Sequence, residues 1–275
     1  MKHLWLTAYT DILESLRAKW FLAYGLIFGG LVALLFVFGL TESRVMGFTG
    51  LSRLMVTYIQ LTMAILPIFV LITTVRSVAG DREAGVYEYL LALPIGLGAW
   101  FWGKLLGRFL VVFLPVFLAM LGAVVWGVAK GAQVPWVLFA YYTGLLMVLA
   151  WCFLGIGILL STLTRSADVA QASAFVVWLS LLLFLDLILL GLMIQGNLPP
   201  ETVVAIALAN PLQVFRTAAM LLLDPQLVLL GPSAYLILDQ FGKQGYLVYA
   251  LAYPTLFGFF CAWLGYGLFK RGDLP

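Results

Sequence analysis

Charge is what this sequence has least of: Asp, Glu, Lys and Arg supply 10% of its 275 residues, while 64% are hydrophobic. A water-soluble domain carries about 25% charged residues, and a single core of this length has too little interior to hide so much apolar side chain. The bilayer must take up the remainder, which excludes an ordinary soluble fold. The net charge of +3 is small, and the basic residues are scattered between apolar runs. No continuous stripe could follow a phosphate backbone, so nucleic-acid binding is not expected. Histidine occurs once, as His3, far from any acid that could orient it as a base or ligand. Cysteine occurs twice, and Cys152 and Cys261 each lie inside an apolar run, where cysteine behaves as a small hydrophobe. Neither a disulfide nor a metal centre is expected from them. A membrane-embedded enzyme would need paired acids, histidines or a nucleophile with its base. One histidine and one carboxylate within an apolar run argue against that, so no catalytic residue is assigned. Residues 1–19 contain Asp11, Glu14, Arg17 and Lys19 with no apolar stretch ahead of them, and a cleaved signal peptide is not expected.

What the sequence has in abundance is apolar length. Spanning a bilayer takes about 20 consecutive apolar residues, and six runs qualify: 20–40, 54–75, 105–129, 136–160, 169–194 and 246–269. The chain is therefore read as a single all-α transmembrane domain over 1–275, with six transmembrane helices and both ends on one side. Lys2, Arg17, Lys19, Arg76, Arg82, Lys104, Arg108, Arg165, Lys270 and Arg271 fall on one face, against Arg44, Arg53, Lys130, Arg216 and Lys243 on the other. By the positive-inside rule both termini are expected in the cytoplasm. Leu4, Leu6, Ile12, Leu13, Leu16 and Trp20 recur at roughly helical spacing, which predicts an amphipathic helix over 1–19 lying along the cytoplasmic interface. The stretch 197–245 is broken by Pro199, Pro200, Pro211, Pro225 and Pro232. Short helices resting on the outer surface, or dipping into it, are expected there.

The densest charge cluster lies between the second and third runs, from Arg76 through Asp81, Arg82, Glu83 and Glu88 to Pro94, with Lys104 following an aromatic stretch. Glu83 and Tyr87 are four residues apart, as are Ala84 and Glu88, while Tyr87, Leu90, Leu91 and Pro94 follow helical spacing. An amphipathic helix over 80–94 is predicted, with a charged edge toward the cytosol. A plain interfacial loop whose charges only set topology is the alternative.

The run Gly80-Asp81-Arg82-Glu83-Ala84-Gly85-Val86-Tyr87-Glu88-Tyr89-Leu90-Leu91, then Pro94, then Gly103-Lys104, resembles the signature of ABC-2-type transporter permeases, roughly G-E-R-E-x-G-T-x-E-x-L-L-x-x-P with a later G-K. Asp81 stands where the family has glutamate, and Val86 where it has threonine or serine. The six-span layout, the N-terminal helix, the outer segment before the last span and the Lys270–Leu274 tail are similar as well. Within the family the likeness is greatest to the NosY-type membrane subunit of the nitrous-oxide reductase maturation complex, on Gly47-Phe48-Thr49-Gly50-Leu51 and Ile65-Leu66-Pro67. The resemblance implies an ABC-2 (type V) exporter-like permease in the bacterial inner membrane, paired with a second copy of itself and docked on two copies of a cytoplasmic ABC ATPase. It implies that 80–94 is the coupling helix, with Asp81, Arg82, Glu83, Gly85, Glu88, Pro94 and Lys104 as coupling residues, and that Glu83 and Glu88 face the ATPase. No cofactor is bound directly; ATP and magnesium are held by the ATPase. The NosY likeness further implies a periplasmic NosD-type partner and a copper or sulfur species as substrate, or mechanical work on a partner. An exporter of lipids, drugs or ions with the same fold, and a passive membrane anchor, are the other readings.

Gly98-Ala99-Trp100-Phe101-Trp102-Gly103-Lys104 has the spacing of a phosphate-binding loop, but Leu105 follows where magnesium wants Ser or Thr, so no nucleotide site is expected. Gly25/Gly29 and Gly103/Gly107 have the G-x-x-x-G spacing that lets helix backbones approach, and are candidate dimer contacts. Asp186 is the one acidic residue deep within a run. Its charge must face protein or water, as a gating or cation site or as a hydrogen bond to a neighbouring helix. Met46, Met55, Met63, Met193 and Met220 could form a soft copper path, with packing the preferred explanation.

Overall fold

The computed structural model describes residues 2–17, 23, 24, 26, 27, 29, 30, 47–86, 96–129, 136–194, 199–223 and 232–272. Among them the regular structure is all helical, with no strand. The helices are α1 (Lys2–Arg17), α2 (Gly47–Glu83), α3 (Leu97–Ala129), α4 (Trp136–Leu163), α5 (Ala167–Leu179), α6 (Leu185–Ile194), α7 (Pro200–Ala209), α8 (Pro211–Leu223) and α9 (Pro232–Gly272), with a π-helical turn, Ser180–Phe184, between α5 and α6. Five helical stretches are long and apolar enough to cross a membrane, in α2, α3, α4, α5–α6 and α9. They correspond to the expected second to sixth spans. The expected first span at 20–40 lies outside the described residues apart from six helical positions, of which Tyr24 stacks on Phe69 with ring centroids 3.4 Å apart.

The spans overrun their apolar cores. At about 1.5 Å per residue the 37 residues of α2 exceed a hydrocarbon layer about 30 Å thick, and Ser77, Asp81, Arg82 and Glu83 lie in its last turns. Gly85 ends the run with φ +67°, a conformation that costs glycine little. The helix expected over 80–94 therefore starts differently: Gly80–Glu83 complete α2, and the chain turns at Ala84–Gly85. Residues 87–95, with Glu88 and Pro94, lie outside the described residues. Gly242, φ 63°, breaks α9 near its start.

α4 is the centre of the fold. Its span is 72% buried, against 6% for α5–α6, because α4 packs on α2 and α9 with α3 and α8 beside it. Leu145, Leu146, Leu149, Phe153 and Leu154 are fully buried. Glycines permit this closeness. A Cβ at Gly155 would stand 2.2 Å from the Gly258 carbonyl oxygen, and one at Gly157 would stand 3.0 Å from Thr74 Cβ. Without a hydrophobic drive between helices in lipid, such backbone-to-backbone packing is the main source of attraction.

α1 does not present its small face to solvent. Ala8, Asp11 and Ser15 are buried against α3, while Trp5, Leu6, Tyr9, Leu13 and Leu16 are exposed and available to lipid. A Cβ at Gly103 would meet the Leu4 carbonyl oxygen at 2.7 Å, and one at Gly107 that of Ala8 at 2.9 Å. This corrects the expectation of a dimer contact at Gly103/Gly107: the pair seats α1 on α3 of the same chain. Of the other pair, Gly29 approaches Ala119 and Gly25 is outside the described residues. Overpacking costs about 1–3 kcal/mol, so Gly107→Leu is expected to unseat α1. Limited trypsinolysis at Arg17 in detergent should then be markedly faster than in wild type, and equal rates would count against the docking.

Candidate functional site

The charged residues singled out in the sequence converge at one end of the spans. Lys104 is 9% exposed, and an ammonium so buried needs a partner. It donates to the Asp81 carboxylate and, at 2.8 Å, to the Ser77 carbonyl, and lies 4.9 Å from the centre of the Trp100 ring. The resemblance had placed Asp81 and Lys104 in one signature; the fold makes them an ion pair between α2 and α3. One turn along α3, Arg108 Nη1 donates to the Thr73 carbonyl at 3.2 Å, and its Nε lies 3.2 Å from Asp11 Oδ1. That second contact is a charge interaction without hydrogen-bond alignment, since neither Asp11 oxygen accepts a hydrogen bond. Burial raises the Asp11 carboxyl above its ordinary value of 3.8, opposed by the charges of Arg108 and Lys104. The same charge pairing thus ties α1 to α3.

Arg82 and Glu83 reach the other way. The Arg82 guanidinium donates to the carbonyls of Thr164, at 2.5 Å, and Thr162, at 3.4 Å, taking up acceptors that the end of α4 leaves without intrahelical partners. Glu83 Oε1 accepts from the Ala167 N–H at 3.1 Å, at the first residue of α5. A carboxylate there satisfies an orphan donor and meets the positive end of the helix dipole. Ser166 caps the same helix, its hydroxyl accepting from Val169 N–H at 3.3 Å. Ser161 Oγ accepts from the N–H groups of Val78 and Ala79, each at 3.0 Å, which joins α4 to α2. Sequence reasoning passed over Ser161, Thr162 and Thr164, and the only signal for them was their position at the polar end of an apolar run.

The motif residues are therefore roots rather than a free charged edge. Asp81 holds α3, Arg82 holds α4 and Glu83 holds α5, while Gly85 releases the chain into residues 87–95. Glu83 is exposed overall, but its carboxylate is engaged within the chain. Any force on the segment after Gly85 would reach four helices through polar contacts within one short stretch of α2.

A second polar group lies far from this end. Asp186, 19 residues on from Ala167, stands roughly 28 Å along the helix from the end that meets Glu83. Its Oδ1 accepts from Gln213 Nε2, and its Oδ2 lies 3.9 Å from Arg216 Nη1. Among the methionines weighed for copper, Met63 and Met220 are buried in the apolar core. The side chains of Met46, Met55 and Met193 are outside the described ones.

Residues 5–274 match the family described as ABC-2 family transporter protein. The chain is 28% identical over 225 residues to a protein of Stutzerimonas stutzeri named "Probable ABC transporter permease protein NosY", covering 78% of this chain and 80% of that one. A protein of the same name from Pseudomonas aeruginosa is 27% identical over 222 residues, covering 78% and 81%.

Proposed function

The chain belongs to the ABC-2 family of transporter proteins, as a multi-pass permease subunit of an ABC transporter, and from that premise we propose that it serves the copper-centre assembly of nitrous-oxide reductase. In this reading it is the NosY-type subunit of an inner-membrane complex, with both termini in the cytoplasm. It pairs with a second copy of itself and with two cytoplasmic ATPase subunits, which bind ATP and magnesium and do the hydrolysis. A periplasmic NosD-type protein is the partner on the other side. The work done is movement of a copper or sulfur species, or mechanical work on that partner. The similarity to two NosY-named proteins over nearly four-fifths of the chain supports this reading.

The observation that carries the coupling role is the engagement of Asp81, Arg82 and Glu83 with three different helices immediately before Gly85. The segment beyond Gly85, with Glu88 and Pro94, is the coupling element in this reading. It sits in a groove of the ATPase and moves when the ATPase dimer closes on ATP. The motif side chains pass that displacement to α2, α3, α4 and α5 as rigid bodies. Short helices of 197–245 form the periplasmic surface that moves in response.

The test is a detergent pull-down of the tagged wild-type chain beside a Glu83→Ala/Glu88→Ala variant, with bound proteins identified by mass spectrometry. Wild type is expected to retain an ABC ATPase and the variant to lose most of it. Co-purification of a periplasmic copper-assembly protein would support the finer reading. Recovery of no ATPase by wild type would overturn the coupling role.

A further inference from the structure

The backbone is broken at two adjacent places on the side of the fold away from the Asp81–Lys104 pair. The π-helical turn Ser180–Phe184 interrupts the α5–α6 span, and α7 and α8 form a bent pair that meets at 101° around Asn210, the geometry of a broken span or a re-entrant loop. Broken backbone inside a bilayer persists only where its polar groups find protein partners, and here those partners are identifiable. The carbonyls of Leu208 and Ala209, at the end of α7, accept from the hydroxyls of Tyr249, at 2.9 Å, and Tyr253, at 2.5 Å. Asn210 Oδ1 accepts from Leu212 N–H at 3.0 Å, capping α8, while its Nδ2 donates to the Leu181 carbonyl in the π turn at 2.7 Å.

The two sides of the hairpin are held in different ways. Toward the interior, Leu212, Val214, Phe215, Ala218 and Ala219 are fully or almost fully buried, and the tyrosines come from α9, which is locked to α4 through Gly155 and Gly258. Toward α5–α6 the packing is thinner, with Leu181 and Leu182 only partly buried against the core in a span that is 6% buried. The polar contacts that join it to the hairpin there are Asn210 with Leu181, and Asp186 with Gln213 and Arg216. The side chains of Asp186 and Arg216 are 38% and 31% exposed, so the ion pair lies at the open edge of the joint. An apolar interface opens at a steep cost in dispersion contacts, whereas partly exposed polar groups that reach water exchange one partner for it at little cost. Such a joint opens and recloses readily.

We propose that Asp186, Gln213 and Arg216 form a latch between the broken α5–α6 span and the α7–α8 hairpin, and that its release is the outer-side movement of the transport cycle. The proposal rests on the transporter reading only for its second half; the latch itself is a property of the chain. The π turn supplies a place for α6 to swing, since π-bulges are among the sites where helices kink and are frequent at functional sites.

The test uses the complex in nanodiscs, with spin labels at Ile188→Cys on α6 and Glu201→Cys on α7, both exposed; Cys152 and Cys261 are buried and stay unlabelled. Interhelical polar contacts in bilayers are worth about 0.6–1.7 kcal/mol, or roughly threefold to eighteenfold in a population ratio. Without nucleotide, Asp186→Asn and Gln213→Leu are expected to raise the ratio of long to short label distances by that factor. The exchange Asp186→Arg with Arg216→Asp is expected to return it toward wild type. Distance distributions unchanged in both single variants would overturn the latch, as would a charge exchange no better than either single charge reversal. If the nucleotide-free shift is present but ATP with magnesium moves nothing in wild type, the latch stands and its role in the transport cycle is overturned.

Discussion

Gly155→Ala is expected to unfold the permease or lower its melting temperature by well over 10 °C. The added Cβ would lie 2.2 Å from the Gly258 carbonyl oxygen and 2.8 Å from that residue's C and Cα. All three atoms are backbone, so no side chain is free to rotate away, and α4 must separate from α9 along their whole contact. Overpacking a core by a methylene costs about 1–3 kcal/mol when neighbours adjust. Here the adjustment also opens the crossing at Gly265, where a Cβ would meet Leu159 Cα at 3.3 Å. The loss is therefore expected above that range, and about 1 kcal/mol moves the melting point of a domain this size by about 2–4 °C. Gly191→Ala in α6 is the control, because nothing lies within 4 Å of its Cβ position and alanine favours the helix by about 0.5–1 kcal/mol. Thermal aggregation followed by fluorescence-detected gel filtration compares the two. Melting of Gly155→Ala within about 2 °C of Gly191→Ala would refute the tight crossing.

Removing either partner of the Lys104–Asp81 pair is expected to be the next most damaging change. Side chains 11% and 26% exposed are too poorly hydrated to stand alone, and stranding one charge of a buried pair costs about 3–5 kcal/mol. Lys104→Met leaves the Asp81 carboxylate without its counter-ion, and Asp81→Asn leaves the ammonium facing a neutral amide beside the Ser77 carbonyl and the Trp100 ring. The double variant Asp81→Asn/Lys104→Met removes both charges and is expected to recover most of the melting temperature, since replacing a buried ion pair whole is often neutral. Its ATPase activity as a complex, measured with and without vesicle reconstitution, should remain impaired, because α2 and α3 would no longer be tied at the root of the proposed coupling segment. A double variant as unstable as the singles would show that the two residues act independently.

Much of this molecule was legible from hydropathy alone. Bilayer insertion selects for apolar length, so five of the six expected spans reappear as long apolar helices, their ends differing because polar turns continue a helix past the hydrocarbon. The meaning of single residues was less legible. Gly103 and Gly107 carry a spacing common to many helix contacts, and nothing local says whether the partner is another copy or, as here, α1 of the same chain. Asp186 reads as one acid inside an apolar run, and nothing local says that Gln213 and Arg216 lie beside it. Asp81 and Glu83 read as an exposed charged edge from periodicity, which reports the face of a helix and not what packs on it.

By itself the sequence determined the solvent of this protein, its helical class, the places where chain must leave the membrane and, through the Gly80–Pro94 signature, its family. These follow from composition and from periods within one stretch of chain, where cause and effect are close together. Only the tertiary structure decided which charges are paired, that α1 rests on Gly103 and Gly107, that Gly155 and Gly258 share one crossing, and that a broken span meets a broken hairpin at Asp186 and Arg216. Each of those depends on distances between residues tens of positions apart, which packing sets and no local pattern encodes.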